Sequence, residues 1–344
     1  MTLANVSTPA TGWASGKVIL LGEHAVVHGQ PAIAGPLRQG LCVTLTPSEG
    51  DSADCEGLHL RGAAGRAGRS GSPGRRDSAE GEGAQLREAL RVAALDFPPG
   101  SADGLGVCVS GDLPEAVGLG SSAALSVALV RALAVAMDMP LAAHELARRA
   151  NRVEAIFHGR PSGLDVAAAA SSGWIRFRIG EPPEIRPLVC ARALELVAIE
   201  TGATHRTSET VGDVARRHAQ DPTALEPLFR NIGGLVEEGA VALARGDLPE
   251  LGRLMTANHE QLVRLGVSTS RLDQAVQAAL VAGALGAKLT GGGGGGLVMA
   301  LVGAGERERA VAALGARGWQ SYGLMMAMTT PAQIVTAPVA EGCA

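Results

Sequence analysis

Six consecutive glycines at residues 291–296 constrain this chain more than any other feature of its sequence. Glycine has no Cβ and loses much conformational freedom on ordering. Such a run is therefore either a flexible linker or backbone that must pass close to something else. A linker would be flanked by polar, unstructured sequence. This run instead follows an Ala-rich helical stretch and Lys288-Leu289-Thr290, and it leads into the apolar strand Leu297–Val302. It reads as a glycine loop that lets backbone approach a ligand or another loop.

A second glycine turn, Gly118-Leu119-Gly120-Ser121-Ser122, separates the alternating run Leu105, Val107, Val109 from a long Ala/Leu/Val helix. Free amides and the dipole at the start of that helix favour a polyanion, and the serines offer hydroxyls to a phosphate or its metal. No Lys follows the last Gly where a Walker A loop needs one, and the pattern is not the protein-kinase glycine loop. A tight turn with Ser121 as helix cap fits the same residues.

Two carboxylates stand out. In the helix expected over 141–157, Leu146, Ala147, Ala150, Val153 and Phe157 share one face, and Arg148, Arg149 and Arg152 the other. Glu154, four residues after Ala150, projects from the apolar side. A buried carboxylate there needs a partner, either a metal ion or a structural cation such as Lys17. Asp165 follows the rigid turn His158-Gly159-Arg160-Pro161-Ser162-Gly163-Leu164 and heads an Ala-rich segment. It is placed either to take or orient a hydroxyl proton or to cap a helix. Lys17, at the head of the first strand, is a solvated edge charge unless it faces Asp165 or a phosphate. Glu23 and His24 sit at that strand's end, where sites commonly lie; a structural histidine is the alternative for His24.

Composition excludes several classes. The 344 residues suffice for two domains, and 46% are apolar with only 2% aromatic, so Leu, Val, Ile and Ala build the core. A net charge of −4 gives no basic field for nucleic acid, and no basic amphipathic stretch suits a membrane surface. The five cysteines form no CxxC pair or Cys/His cluster, which argues against a disulfide framework or a zinc site and fits a reducing cytoplasm. The first 13 residues do not read as a secretory signal, and no apolar run reaches membrane-spanning length.

Residues 61–85, rich in Arg, Gly, Ser, Ala and Glu without apolar periodicity, read as a flexible surface loop. Strands are expected at 17–21, 41–45, 105–109 and 175–179. After residue 187 come a strand at 194–199, helices near 208–219, 223–244, 248–265 and 271–282, the strand at 297–302, a helix near 305–317 and two short strands. The mixture, without a regular βα repeat, indicates an α+β fold with domains 1–187 and 188–344.

Taken together and in order, these stretches resemble the GHMP kinases, named for galactokinase, homoserine kinase, mevalonate kinase and phosphomevalonate kinase. Residues 16–29, running from Gly16-Lys17 through Gly22-Glu23-His24 to His28-Gly29, resemble the family's first motif in its mevalonate kinase form. Pro114 through Gly118–Ser122, Ala123 and Ala124 resemble the second, and Lys288-Leu289-Thr290 with the glycine run the third. Residues 158–165 and Leu265-Gly266-Val267-Ser268 are also similar to mevalonate kinases. Ser15 stands where the family often has Pro, Val166 where many mevalonate kinases have Asn, and Gly292 where Ala is frequent.

The resemblance implies a ribosomal protein S5 domain 2-like N-terminal domain and a ferredoxin-like C-terminal domain, with the site between them. It implies an ATP- and Mg²⁺-dependent kinase acting on mevalonate in isoprenoid precursor synthesis. Gly118, Leu119, Gly120, Ser121, Ser122 and Ala123 would wrap the ATP phosphates, and Ser122 and Glu154 would hold Mg²⁺. Asp165 with Lys17 would act on the acceptor hydroxyl, and Glu23, His24 and Thr207 would lie on the acceptor side. A homodimer stays open. The alternatives are another GHMP kinase, for phosphomevalonate or a sugar, or a non-catalytic sensor on the same fold. A sensor would be expected to lose the Asp, the Lys or a metal ligand, and all are present.

Overall fold

The computed structural model describes residues 9–47, 75–113, 118–202 and 207–326. The chain begins with two long antiparallel strands, β1 (Ala10–Leu21) and β2 (Ala32–Pro47), paired from Ala10↔Leu45 to Leu21↔Ile33. Residues 14–21 of β1 are all buried, as are residues 32–37 and 40–43 of β2, so these strands are covered on both faces over much of their length. Strand β2 also pairs with β3 (Leu105–Gly111) at one end and β4 (Ile175–Arg178) at the other. The edge strand β5 (Glu184–Pro187) completes a five-stranded sheet. Helix α2 (Ser121–Ala136), apolar on most of its surface, packs against β1 and β2, with α3 (Ala143–His158) and α4 (Leu164–Ala170) beside it.

Helix α1 (Arg75–Ala94) corrects the expectation of a loop over 61–85. Residues 75–85 are helical, and 61–74 lie outside the described residues. The apolar stripe that anchors this helix, Leu86, Ala89, Leu90 and Ala93, begins just after the stretch whose composition suggested a loop. Arg149 is a second correction. It does not share an open polar face with Arg148 and Arg152 but is 9% exposed, with its guanidinium over the Phe97 ring and Nη1 donating to the Asp96 carbonyl at 2.7 Å.

The second sheet is antiparallel in the order β7-β8-β6-β9, built from β6 (Glu195–Glu200), β7 (Gly286–Thr290), β8 (Leu297–Val302) and β9 (Gln320–Met325). With helices between β6 and β7 and helix α9 (Arg307–Gly315) between β8 and β9, this is the ferredoxin-like βαββαβ arrangement. Helices α5 (Thr207–Gln220), α6 (Pro222–Arg245), α7 (Leu248–Arg264) and α8 (Ser270–Val281) fill the long connection. Asp221, Asp247 and Thr269 cap α6, α7 and α8 by accepting a backbone N–H three residues on. The sheet is buried on both faces. Leu196 and Leu301 join the core shared with the first sheet, while Val197, Ile199 and Val298 pack on the other side. The chain passes from one sheet to the other between Pro187 and Glu195.

Among the described residues no helix is long and apolar enough to cross a membrane.

Candidate active site

The motifs converge on one cavity of about 680 Å³. Lys17, Glu23, His24, Gly118, Gly120, Ser121, Ser122, Glu154, Asp165, Gly291 and Gly292 all line it. Of the expected nucleotide loop, Leu119 and Ala123 instead send their side chains into the core, so only their backbone amides are available to a ligand. Thr207 opens α5, and residues 203–206 before it lie outside the described residues, as do 114–117.

Lys17 is not at the head of a strand but inside β1, where the register slips between Ser15 and Lys17. Such a bulge re-aims the side chain that follows it. Lys17 is 3% exposed, so the solvated-edge reading fails, and its Nζ lies 3.2 Å from Asp165 Oδ1. Asp165 stands in the first turn of α4, whose N-cap is Gly163 in a left-handed conformation; the carboxylate does not cap the helix.

Gly120 is likewise the N-cap of α2, with φ 76°, and no side chain caps that end. Ser121 is thus a helical residue rather than the cap. The first-turn amides of α2 lack intrahelical partners, which leaves them for an anion. A Cβ on Gly120 would lie 2.5 Å from Lys17 Cγ, so glycine is required for the loop to cross the lysine stem.

Glu154 is 1% exposed and takes hydroxyls on both oxygens: Ser122 Oγ donates to Oε1 at 2.7 Å and Ser126 Oγ to Oε2 at 3.0 Å. Lys17 pairs with Asp165, so the Lys17–Glu154 ion pair does not form. Burial pushes the Glu154 carboxyl up to about 7, and the neighbouring Asp165 charge adds to the effect; the two serines and Lys17 oppose it. His158 Nε2 lies 3.0 Å from Ser122 Oγ and 3.4 Å from Glu154 Oε1, and burial lowers its pKa.

A hard divalent cation suits this donor set. A hydroxyl and a buried carboxylate face a cavity that a second carboxylate also borders. Among the described residues no group of three or more His, Cys, Asp or Glu would hold a metal alone. That pattern fits Mg²⁺, which keeps waters and takes phosphate oxygens alongside one or two carboxylates.

On the opposite wall, Glu23 Oε1 forms an ion pair with Lys288 Nζ, and both residues are fully buried. Burial raises Glu23 and lowers Lys288, and their mutual attraction opposes both shifts. His24, at φ 60°, bonds through Nε2 to the Gly292 carbonyl at 2.9 Å; burial lowers its pKa to about 4. Nε2 is therefore the protonated nitrogen of a neutral ring. Glycine is also needed at 293, where a Cβ would meet the Val267 carbonyl at 2.2 Å, and Gly294 N donates to that same carbonyl at 2.8 Å. Residues 265–268 thus buttress the glycine loop.

Sequence reasoning gave no role to Ser126, Lys288, Asn151 or Gln85, the last two of which line the cavity. Ser126 was open to detection, because it follows Ser122 by one helical turn and shares its face. Lys288 was not, since its partner is 265 residues away.

Comparison with known proteins agrees with this geometry. The family described as GHMP kinases N terminal domain matches residues 85–173, and that described as GHMP kinases C terminal matches residues 240–319. A mevalonate kinase of Pyrococcus abyssi is 34% identical over 309 residues, which cover 87% of this chain and 90% of that one. This chain belongs to the GHMP kinases. A second relative of this GHMP kinase, the mevalonate kinase of Aeropyrum pernix, is 32% identical over 95% of both chains. Among solved structures, L. major mevalonate kinase in complex with R-mevalonate superposes with a TM-score of 0.74 at 30% identity, covering 94% of this GHMP kinase and 97% of that chain.

Proposed function

We propose that this GHMP kinase transfers the γ-phosphoryl group of ATP to the primary hydroxyl of mevalonate, giving 5-phosphomevalonate. The observation that carries the reading is the Lys17–Asp165 pair at 3.2 Å, set in one cavity with the Gly118–Ser122 turn on one side and Glu23 and His24 on the other. The mevalonate kinase names of relatives 32–34% identical over most of their length supply the acceptor.

Phosphoryl transfer asks the protein mainly for alignment and charge neutralisation. Amides at the start of α2 would hold the phosphates, and Ser122 and Glu154 would hold Mg²⁺, which would supply neutralising charge to the phosphate oxygens. Asp165 accepts the acceptor hydroxyl's hydrogen bond and orients its oxygen toward the phosphoryl group. Lys17, fixed by Asp165, supplies a cation beside the oxygens where negative charge develops. The cavity's far wall offers few cations that are not already paired. Among the described residues, Lys17 and Arg160 are the lysine and arginine that line the cavity; Lys17 is paired with Asp165, and Lys288, outside the lining, is committed to Glu23. An acceptor already carrying a phosphate would call for more.

A coupled ADP-release assay with mevalonate, phosphomevalonate and galactose tests the reading. Turnover is expected with mevalonate and little with the others. A higher kcat/KM for either rival overturns the acceptor and leaves the kinase class standing.

A further inference from the structure

Four contacts from residues beyond 250 clasp the end of β1 and the turn after it. Thr290 Oγ1 donates to the Ile19 carbonyl at 3.4 Å, Gly22 N donates to Asn258 Oδ1 at 3.4 Å, Lys288 Nζ bonds Glu23 Oε1, and His24 Nε2 bonds the Gly292 carbonyl. The ion pair is the one whose presence stability alone does not explain. Desolvating two charges offsets most of their attraction, and apolar residues of similar volume often do as well. Lys288 is also held by the Leu289 carbonyl at 2.7 Å, and β7 is fixed beside it by Leu289 N donating to His259 Nδ1. The ammonium thus stands on a rigid strand, and Lys288 itself does not line the cavity although Glu23 does.

What the pair fixes is a costly piece of backbone. His24 has a positive φ of 60° with ψ −49°, a combination outside the regions that non-glycine residues ordinarily occupy and one that persists only where it is held. Beside it, Glu23 Oε2 and His24 Nδ1 are buried with no hydrogen-bond partner among the described residues. Both are acceptor atoms, on two adjacent residues that line the cavity.

We propose that Lys288 is a positioning residue for the phosphoryl acceptor: by pairing with Glu23 it holds the Glu23–His24 turn so that Glu23 Oε2 and His24 Nδ1 stay set to receive hydroxyl groups of the substrate. This deepens the acceptor reading above and rests on it. Lys288 is fully buried and outside the cavity lining. Its loss therefore acts on acceptor recognition and leaves the loop at Gly118–Ser122 intact.

The test compares the wild-type enzyme with Lys288→Met and with the double variant Glu23→Gln/Lys288→Met, which leaves no unpaired charge. The readouts are acceptor KM and kcat, the Kd of a non-hydrolysable ATP analogue, the melting temperature, and the ¹H–¹⁵N imidazole spectrum that reports the His24 tautomer. In the double variant, we expect a melting temperature close to wild type and an analogue Kd within about twofold. Acceptor KM should rise about tenfold or more, the signature of lost substrate positioning, and the His24 Nε2–H signature should weaken. Lys288→Met is expected to show the same split with a lower melting temperature. Because Glu23→Gln by itself alters an acceptor-facing group, the rise in KM is credited to Lys288 only where a Lys288 single variant shows it, and if Lys288→Met fails to fold, Lys288→Arg decides by the same readouts. A double variant with wild-type acceptor KM and an unchanged His24 spectrum overturns the proposal, as does an analogue Kd that rises as much as the acceptor KM. Failure of the acceptor reading shows separately, as absent turnover of mevalonate by the wild-type enzyme, and the imidazole spectrum then decides the role of Lys288 alone.

Discussion

The backbone amide of Lys17 donates to the carbonyl of Leu119 at 2.8 Å. The strand that carries the buried cation is thereby tied to the turn proposed for the ATP phosphates, and the lysine stem runs beneath Gly120. Any Cβ at position 120 strikes that stem and meets a φ of 76°. Gly120→Ala is expected to lower kcat by about tenfold or more, because misplacing a positioned group costs roughly that much. A stability loss of about 1–2 kcal/mol from the strained backbone should accompany it. Steady-state kinetics with a chemical-denaturation curve checks both, and wild-type kcat would show that the lysine tolerates displacement.

Asp165→Asn keeps the shape of the side chain and removes its charge. Its expected effect is a fall in kcat of about two orders of magnitude or more, with nucleotide affinity nearly unchanged, since the carboxylate serves the hydroxyl rather than the phosphates. A rate within about threefold of wild type, equal to about 0.7 kcal/mol in barrier, would rule out a part in catalysis.

Glu154→Gln should shift the Mg²⁺ concentration needed for half-maximal activity upward by on the order of tenfold. The carboxyl titrates near 7 when no cation is bound, and a metal ligand must be deprotonated. The wild-type Mg²⁺ requirement is therefore expected to rise as pH falls below 7, and the variant to lose that dependence. Coincident Mg²⁺ titrations for the two proteins would mark Glu154 as structural.

His24 gives a pH signature of stability. Its folded pKa, about 4, lies below the ordinary 6.5. Between those values the unfolded chain binds the proton and the folded one does not, so stability is full above 6.5 and falls as pH drops toward 4. The span corresponds to at most about 3.4 kcal/mol. Glu154, displaced upward, works in the opposite sense between 7 and 4.5, but it is common to both proteins when wild type is compared with His24→Asn. The difference in unfolding free energy between the two should shrink from pH 7 to pH 4. A constant difference would mean that His24 is not held neutral.

Most of what the sequence concealed involves partners distant in the chain. Strands and helices with their own periodicity, such as Leu105–Gly111 and Ser121–Ala136, are visible locally. Strand β7 is not, because Gly286-Ala287-Lys288-Leu289-Thr290 has no alternation; all five residues are buried, and the lysine is neutralised by a carboxylate from β1's end. Helix α1 is hidden for the converse reason, since its first half has no apolar stripe and its anchors lie beyond residue 85. Strand β5 is a short, mostly exposed edge. In the site, Glu154 was readable from helical spacing, whereas which carboxylate takes Lys17 was not: the bulge at Gly16 decides it.

The core shared by the two sheets governs how this enzyme comes apart. Leu20 and Leu41 from the first sheet pack in one apolar cluster with Leu196, Leu301 and Leu324 from the second, and a bridge joins Leu37 to Met326 near the other end of the chain. Severing the chain between Pro187 and Glu195 would leave each piece with a wide greasy face and nothing to cover it. Neither piece should refold alone, heating should melt both sheets in a single cooperative transition, and the cavity between them should vanish in that same step rather than loosen ahead of it.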